Sequence, residues 1–526
     1  MYKKNIQIKV KNGKIINLSS FKNGVQIINE NETLTFPNSI ALPGFVDSHL
    51  HFFGTGEVGL MPDFRNCRNE DEMIDKIKEK TFYRNNWIIG FGWNQELFED
   101  KKFPKKEKFD KAFPDIPIFL RRIDGHSALV NSKVLEILEI SASTTSPYGG
   151  IIVKDERGNP TGILIDNAMN LVFHKLPFYD SSQIFEILDY AQNFLLSLGL
   201  TEVVDMDLEP HLINYLQKFD ELRKLKIFVN SFVKAQNNDY INYIKTPFVG
   251  KNFSVIGTKF YADGALGSRG AALHEPYLDD INGTGLLLIN KTDFITKATN
   301  ALENGFAVAI HSIGDRATSF VLNSFEKLIK DHFNLLSNFK EKQISPLRIE
   351  HCQMIKTNDL IKAKELNSVQ KIIASIQPIH FQSDFSSGMA QARIGIKRLE
   401  YSYPWKSLFD ADFLVVSGSD APIESPNPLL GIYNLIFNLN NTNQNISPEI
   451  ALETYIDNAY KSIGALNRGA IEVDKIANIT ILPDSFLDLI YNKKNVNSNI
   501  MQKSFENLNV ISTIVNGKSI YNLNTR

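Results

Sequence analysis

Eight short apolar runs, each followed by a segment with the pattern of an amphipathic helix, constrain the fold of this chain most strongly. The runs are rich in β-branched residues and begin near residues 44, 201, 226, 255, 306, 347, 372 and 413. Near-continuous apolar runs are typical of strands buried on both faces, and their alternation with helices indicates parallel strands. Eight such units predict an α/β fold, a (β/α)8 barrel of the TIM type.

The two ends of the chain have a different pattern. Short stretches of alternating apolar and polar residues, separated by glycine or asparagine, are typical of half-exposed strands. We therefore expect one small β-sandwich domain built from residues 1–42 and 466–526, with the barrel over residues 43–465.

A long segment, about residues 56–200, separates the first barrel strand from the second. We expect it to form an insertion at the end of the barrel where active sites form, as a lid or a wall of the substrate pocket. Within it the pattern predicts a helix over residues 71–84 and a hairpin over residues 149–166.

Composition excludes several classes of protein. The 526 residues carry a formal net charge of -2. The chain therefore lacks the positive electrostatic field expected of a protein that binds nucleic acid. The start of the chain is polar and no stretch reaches roughly 18 apolar residues, so we expect neither a secretory signal nor a membrane segment. Two cysteines, Cys67 and Cys352, are too few for a disulfide framework. We predict a cytoplasmic protein that acts on a small molecule. Whether it forms a homo-oligomer stays an open question at this point.

The first apolar run ends on two histidines, in the segment PGFVDSHLHFFG. Successive strand residues point to opposite faces, so His49 and His51 point the same way. A lone buried histidine is more often a hydrogen-bonded core residue than a metal ligand. A pair at this spacing, at the end of a strand and just before a glycine, favours a metal site.

Three other runs end on residues of the same chemistry. His311 ends the fifth run, His351 ends the sixth, and Asp420 follows the eighth. Histidine nitrogen and carboxylate oxygen are ligands of zinc, and parallel strands bring their carboxyl ends to one face of a barrel. Four histidines and an aspartate at four strand ends therefore predict a metal centre.

Lys259, in the fourth run, has the same strand parity as Tyr261 and Asp263. A metal ion would repel an ammonium group among its ligands. Burial and nearby positive charge favour the neutral amine, which is a nucleophile. Addition of carbon dioxide to that amine would give a carbamate, an anion able to bridge two metal ions. The alternative is a lysine that extends to solvent from the strand end.

Several of these segments together resemble the metal-dependent amidohydrolase superfamily, and specifically the branch that includes N-substituted formamide deformylase (amidohydrolase family 3). The segments are PGFVDSHLH at Pro43, KFYADGALGSR at Lys259, AIHSIGDRA at Ala309, RIEHCQ at Arg348, SIQPIHFQSD at Ser375 and SGSDAPIESPNPL at Ser417. The resemblance covers nearly the whole chain. One departure is Asn478, where this family usually has an acidic residue, in the predicted terminal sheet.

The resemblance implies a cofactor of one or two divalent ions, with zinc as the expected metal. It places His49, His51 and Asp420 on the more buried ion. It places His311 and His351 on the second ion, with the carbamate of Lys259 bridging the two.

The resemblance and the charges of the site imply hydrolysis of a C–N bond, most simply an amide. Metal-activated water attacks the carbonyl carbon, and Asp420 takes its proton as general base and hands it to the leaving nitrogen. One alternative is hydrolysis of a cyclic amide, ester or carbamate, or a non-hydrolytic isomerisation or decarboxylation on the same centre. A second alternative is a non-catalytic, metal-binding regulatory protein, which predicts loss of ligands; all six positions are filled.

Four further residues resemble family positions near the substrate or its loop: His126, Asp263, Arg269 and His380. For His126 and His380 a hydrogen-bonding role in a loop or in the core is an equal alternative. Asp263 and Arg269 either orient the ligand or brace the long loop after the fourth strand.

Overall fold

The computed structural model describes residues 2–123, 125–341, 344–437, 441–491 and 498–523. The chain divides into two compact units. The barrel unit comprises residues 1–52 and 192–526, and the insertion unit comprises residues 53–191. Within the described ranges, no helix has the length and apolar character needed to cross a membrane.

The barrel unit contains eight parallel strands whose order in the sheet follows the chain order, which confirms the predicted TIM-type barrel. These strands are rich in apolar residues, and most residues of the strands are buried, as strands covered on both faces require. In chain order, barrel strands 1 to 8 are Phe45–Leu50, Leu200–Leu208, Phe228–Lys234, Phe253–Tyr261, Ala307–Ser312, Leu347–His351, Ile373–Ile376 and Leu414–Ser417. A short strand, Phe248–Val249, pairs antiparallel with barrel strand 4.

The segment that follows barrel strand 8 hydrogen-bonds to the end of barrel strand 1 and so joins the two edges of the barrel sheet. The amide of Asp420 donates to the carbonyl of His49 at 2.7 Å, and the amide of His51 donates to the carbonyl of Ala421 at 2.8 Å. Gly418 allows this approach, because a Cβ there would lie 2.3 Å from the backbone nitrogen of His49.

Thirteen helices lie wholly in the described part of the barrel unit, several of them between successive barrel strands. Side-chain caps begin some of them: Asn290 accepts from the amide of Asp293, and Ser447 accepts from the amide of Ile450. They are Ile213–Glu221, Lys291–Glu303, Asp315–Asp331, Phe333–Glu341, Thr357–Val369, Pro378–Ser386, Met389–Leu399, Trp405–Asp410, Pro428–Ile436, Pro448–Tyr455, Asp457–Ser462, Ser485–Tyr491 and Ser498–Glu506. Helices Phe52–Leu60 and Ser181–Ser197 cross the unit boundaries.

Two further sheets of the barrel unit form the small β domain, which confirms that both chain ends contribute to it. One sheet has the order Lys3–Lys4, Ser39–Pro43, Ile479–Pro483, Ser512–Val515, Lys518–Asn522, and the other has the order Lys14–Ser20, Ile6–Lys11, Val25–Ile28, Thr33–Phe36. Their apolar faces share one core, in which Ile8 and Ile27 meet Ile479 and Ile514. The segment from Gly469 to Asp474 is not a strand, because the chain turns at these two residues, both with positive φ.

The insertion unit has a six-stranded sheet of its own and an apolar core around Trp93, Phe109 and Leu120. Its strands are Tyr83–Arg84, Trp87–Trp93, Ile118–Arg122, Ser127–Val130, Gly150–Lys154 and Pro160–Asp166. Its remaining helices are Glu70–Glu79, Lys106–Ala112, Ser132–Ile137 and Asn170–Phe173. The last two strands form the predicted hairpin. The predicted helix over 71–84 is shorter, because Tyr83 and Arg84 pair as a strand with Ile88 and Trp87.

Candidate active site

The six predicted metal ligands all lie at the carboxyl ends of barrel strands. His49 is in strand 1 and His51 directly follows it. Lys259, His311 and His351 are in strands 4, 5 and 6, and Asp420 follows strand 8. All are buried except His51, whose side chain is 29% exposed.

Four imidazole rings lie around a common space, tilted or edge-on to one another. The ring centroid of His351 lies 4.4 Å from that of His311, 4.8 Å from that of His49 and 6.0 Å from that of His380. These residues belong to different strands and one helix, so the barrel topology alone brings them together. Such a cluster of basic rings in a buried space is costly unless something binds their lone pairs.

Two of the site residues have unusual backbone geometry. His351 has φ +69° and Asp420 has φ +62°, both in the left-handed region that non-glycine residues seldom adopt. In a regular strand His351 would point away from the face that Glu350 occupies. The positive φ breaks that alternation and lets the imidazole contact His49 and His311. Strained residues of this kind are concentrated at functional sites.

The carboxylate of Asp420 lies among three histidines. Its Oδ1 is 3.0 Å from Nε2 of His51 and 3.4 Å from Nε2 of His49, and its Oδ2 is 3.4 Å from Nε2 of His380. Burial alone would raise the pKa of Asp420, but the adjacent imidazoles of His380, His49 and His51 hold the pKa well below its usual range. The carboxylate is therefore ionised, as a metal ligand or a proton acceptor must be.

The imidazoles of His311 and His351 are neutral at ordinary pH. Burial, reinforced by the Lys259 ammonium, lowers the pKa of His311 to about 3. Burial, with His311 and His49 nearby, lowers the pKa of His351 well below its usual range. Neutral rings keep a lone pair on one nitrogen, which is the form that binds metal.

Several buried polar atoms of this site have no hydrogen-bond partner among the described residues, as expected of atoms that bind a metal ion. Within the described parts of the chain, Nε2 of His49 and Nδ1 of His351 are buried and make no hydrogen bond. Ligand atoms of His49, His351 and Asp420 all lie within 4.8 Å of one another. Buried polar atoms are normally paired, so this nitrogen and oxygen set suits a divalent cation such as zinc.

Lys259 is buried, with only 1% of its surface exposed, and its Nζ lies 4.9 Å from the ring centroid of Tyr261. The alternative of a lysine that extends to solvent does not match this burial. The Tyr261 ring in turn lies 5.3 Å from the ring of His311. Lys259 thus belongs to the same buried cluster as the histidines.

Asp263 and Arg269 have contacts that brace the loop after barrel strand 4. The carboxylate of Asp263 is fully buried and accepts from the amides of Ala272, Ile313 and Gly314 at 2.8 to 3.0 Å. Burial raises the pKa of Asp263 to about 7, although these three amides oppose the shift. Arg269 makes two hydrogen bonds to Asp279, at 2.9 and 3.2 Å. These contacts fit the bracing alternative, although Oδ1 of Asp263 also lies 3.5 Å from Nε2 of His311.

The other two predicted substrate residues differ in position. His380 is in the first turn of helix Pro378–Ser386, with its Nε2 3.4 Å from Asp420. His126 belongs to the insertion unit, where its Nδ1 lies 2.9 Å from Oδ1 of Asp166 and its side chain is half exposed.

Two residues that contact the site have no role predicted from the sequence. Glu350 accepts from Nδ1 of His49 at 2.6 Å, and Arg348 donates from Nε to Glu350 at 2.8 Å. All three are fully buried. The signal was present in LRIEH, where two charged residues two apart interrupt an otherwise apolar strand.

Known proteins are similar to this chain in sequence and in fold. Residues 38–521 match the model of the amidohydrolase family. The protein YtcJ of Bacillus subtilis (strain 168) is 33% identical over 426 residues, which cover 79% of this chain and 77% of that protein. N-substituted formamide deformylase of Arthrobacter pascens is 23% identical over 486 residues, 86% of this chain and 84% of that enzyme. The fold is similar to the crystal structure of an uncharacterised metal-dependent hydrolase from Pyrococcus horikoshii OT3, with a TM-score of 0.74 and 24% identity over 93% of this chain and 100% of that one.

Proposed function

We propose that this chain, which belongs to the amidohydrolase family and is a hydrolase, depends on a divalent metal to cleave a C–N bond in a small-molecule amide. The single observation that carries the proposal is the set of orphaned atoms. Nε2 of His49 and Nδ1 of His351 are buried beside the Asp420 carboxylate and have no hydrogen bond to any residue that the structure describes. A bound divalent ion would pair these atoms and so offset the cost of burying them.

The proposed ligands are those that the sequence indicates, and zinc is the proposed metal. His49, His51 and Asp420 would hold one ion, His311 and His351 a second, with Lys259 between them as a carbamate. A bound divalent ion would supply Lewis-acid activation of water and of the substrate carbonyl. The burial of Lys259 among neutral imidazoles supports the carbamate. The buried ammonium would lose one proton to give the amine, and addition of carbon dioxide with loss of a second proton would give an anion that bound cations stabilise.

The residues of the chain would then move the proton. Asp420 is ionised and is oriented through Oδ1 by His51 and through Oδ2 by His380. It can accept a proton from the attacking water and pass that proton to the leaving nitrogen. The protonation state that this role needs is the one that the histidines favour.

We propose an N-substituted formamide as the substrate class within the amides. The support is the similarity to N-substituted formamide deformylase, which extends over 86% of this chain. We further propose that the enzyme acts in the cytoplasm, because Cys67 and Cys352 are both buried and unpaired, as in a reducing compartment.

The test is product analysis of the zinc-loaded protein on a panel of N-formyl, N-acyl and cyclic amides, esters and carbamates. We expect release of amine and carboxylate from amides, fastest with N-substituted formamides. Asp420→Asn should lower kcat by about 10²- to 10⁴-fold. A matched control, Asp331→Asn, changes an exposed surface aspartate and should leave kcat unchanged. Turnover of esters alone, or full activity of Asp420→Asn, would contradict the proposal.

A further inference from the structure

The two ring nitrogens of His49 have different surroundings. Nδ1 lies 2.6 Å from Oε2 of Glu350, on barrel strand 6, and both side chains are fully buried. Nε2 makes no hydrogen bond within the described residues and lies 3.4 Å from Asp420. One nitrogen therefore faces a carboxylate and the other faces the proposed metal site.

Glu350 is itself held from the far side by Arg348. Nε of Arg348 donates to Oε1 of Glu350 at 2.8 Å, and Nη2 donates to the carbonyl of Ser48 at 3.0 Å. Ser48 directly precedes His49 in barrel strand 1. Each oxygen of the carboxylate thus has its own partner, and the guanidinium ties strand 6 to the backbone that carries His49.

We propose that Glu350 and Arg348 are positioning residues that keep the proton of His49 on Nδ1 and so present the Nε2 lone pair to the metal. A carboxylate can only accept a hydrogen bond, so the nitrogen that faces Glu350 must be the one that carries hydrogen. Hydrogen bonds at the distal nitrogen are known to set the tautomer of metal-binding histidines. This inference rests on the proposed function, since it needs a metal at the site.

The substitution Glu350→Gln tests the proposal sharply because Arg348 dictates how the new amide turns. The guanidinium has only donors, so the amide oxygen must face Arg348 and the NH₂ must face His49. A donor opposite Nδ1 shifts the proton of His49 to Nε2, which then has no lone pair for metal. Shape and volume barely change, so a loss of zinc affinity would come from the tautomer.

We expect Glu350→Gln to bind Zn²⁺ roughly 10- to 100-fold more weakly in a chelator competition, the usual effect of changing a residue that hydrogen-bonds to a metal ligand. The double variant Glu350→Gln, Arg348→Met removes the donor, so the amide can turn and accept from Nδ1. It should recover a large part of the lost affinity. The matched control is Glu326→Gln, a surface glutamate that pairs with Lys330 and Lys362, with unchanged affinity. Melting of the metal-free forms checks that each variant is folded.

Wild-type zinc affinity in folded Glu350→Gln would overturn the inference, and so would a double variant as weak as the single one. Nitrogen NMR of histidine-labelled, metal-free wild type keeps the test decisive if the variants do not fold. It should show His49 protonated on Nδ1, and protonation on Nε2 would contradict the proposal. Failure of the proposed function looks different, because the wild type itself would then bind no zinc.

Discussion

Lys259 is the residue whose proposed role, that of a metal ligand, differs most from the usual role of its side chain as a charged ammonium group. It is 1% exposed and close to Tyr261, which contacts the ring of His311. A buried ammonium at that place would repel a metal ion, whereas a carbamate would bind it. The assignment of Lys259 as a ligand therefore depends on a modification of its Nζ.

The substitution Lys259→Ala should lower metal content and activity together, with kcat/KM reduced by at least about 100-fold, because it removes a proposed ligand and not merely a residue that hydrogen-bonds to one. Added bicarbonate or a short carboxylic acid should restore part of both. The matched control is Lys234→Ala, which changes a lysine at the end of barrel strand 3 that pairs with Glu209 and should keep its metal. Metal analysis and initial rates decide the matter. A fully active, fully loaded Lys259→Ala protein would exclude the carbamate.

Individual side chains show where sequence reasoning is sufficient and where it is not. Strand parity alone places His49 and His51 on one face, and both contact Asp420. His351 could be assigned only from its place at a strand end, because the backbone turn at φ +69° that directs it inward leaves no mark in the sequence. The hydrogen bond between His49 and Glu350 joins two residues that are 301 positions apart in the sequence, and no local pattern predicts such a partner.

At the level of strands and loops, the approach of strand 1 to the segment after strand 8 depends on a glycine. A Cβ on Gly418 would lie 2.3 Å from the backbone nitrogen of His49 and 2.8 Å from Oδ1 of Asp47. Those atoms belong to the backbone and to a buried carboxylate, so neither can move away easily. Gly418 therefore couples barrel closure to the position of a proposed ligand.

We expect Gly418→Ala to lower the free energy of unfolding by about 1–3 kcal/mol, the usual cost of overpacking, and to weaken zinc binding as His49 shifts. Urea denaturation and zinc competition measure the two effects. Gly267→Ala is the matched control, because its Cβ would meet only Met389 at an ordinary 3.7 Å. If Gly418→Ala matched that control in both measurements, the closure would be looser than described.

Barrel strands are easier to predict than the elements of the insertion unit. Each of the eight apolar runs overlaps a barrel strand, because a strand buried on both faces needs a continuous apolar stretch. The helix Glu70–Glu79 ends earlier than its periodicity suggests. Strand pairing of Tyr83 with Ile88, a tertiary effect, limits it.

For the chain as a whole, a buried ion pair joins the C-terminal segment to the barrel. Nη2 of Arg468 donates to Oε1 of Glu202 at 2.8 Å, and Glu202, in barrel strand 2, is fully buried. Asn230 donates to the same oxygen at 2.8 Å. Removing one partner would leave a buried charge unpaired, which is more costly than losing the pair.

Arg468→Ala should therefore lower the free energy of unfolding by about 3–5 kcal/mol, as measured by urea denaturation. The double variant Arg468→Ala, Glu202→Gln should be more stable than the single one, since no buried charge remains. The control Lys327→Ala breaks an exposed helical pair with Asp331 and should cost at most about 0.5 kcal/mol. A loss for Arg468→Ala as small as that of the control would mean that Glu202 is not buried as described.

The central claim is that this hydrolase needs a metal held by the histidine cluster, and metal analysis joined to activity tests it most directly. Elemental analysis of the purified protein should find roughly one to two equivalents of divalent metal per chain. Chelation should abolish amide hydrolysis, and zinc should restore it. Undiminished hydrolysis by protein shown to be free of metal would contradict the account.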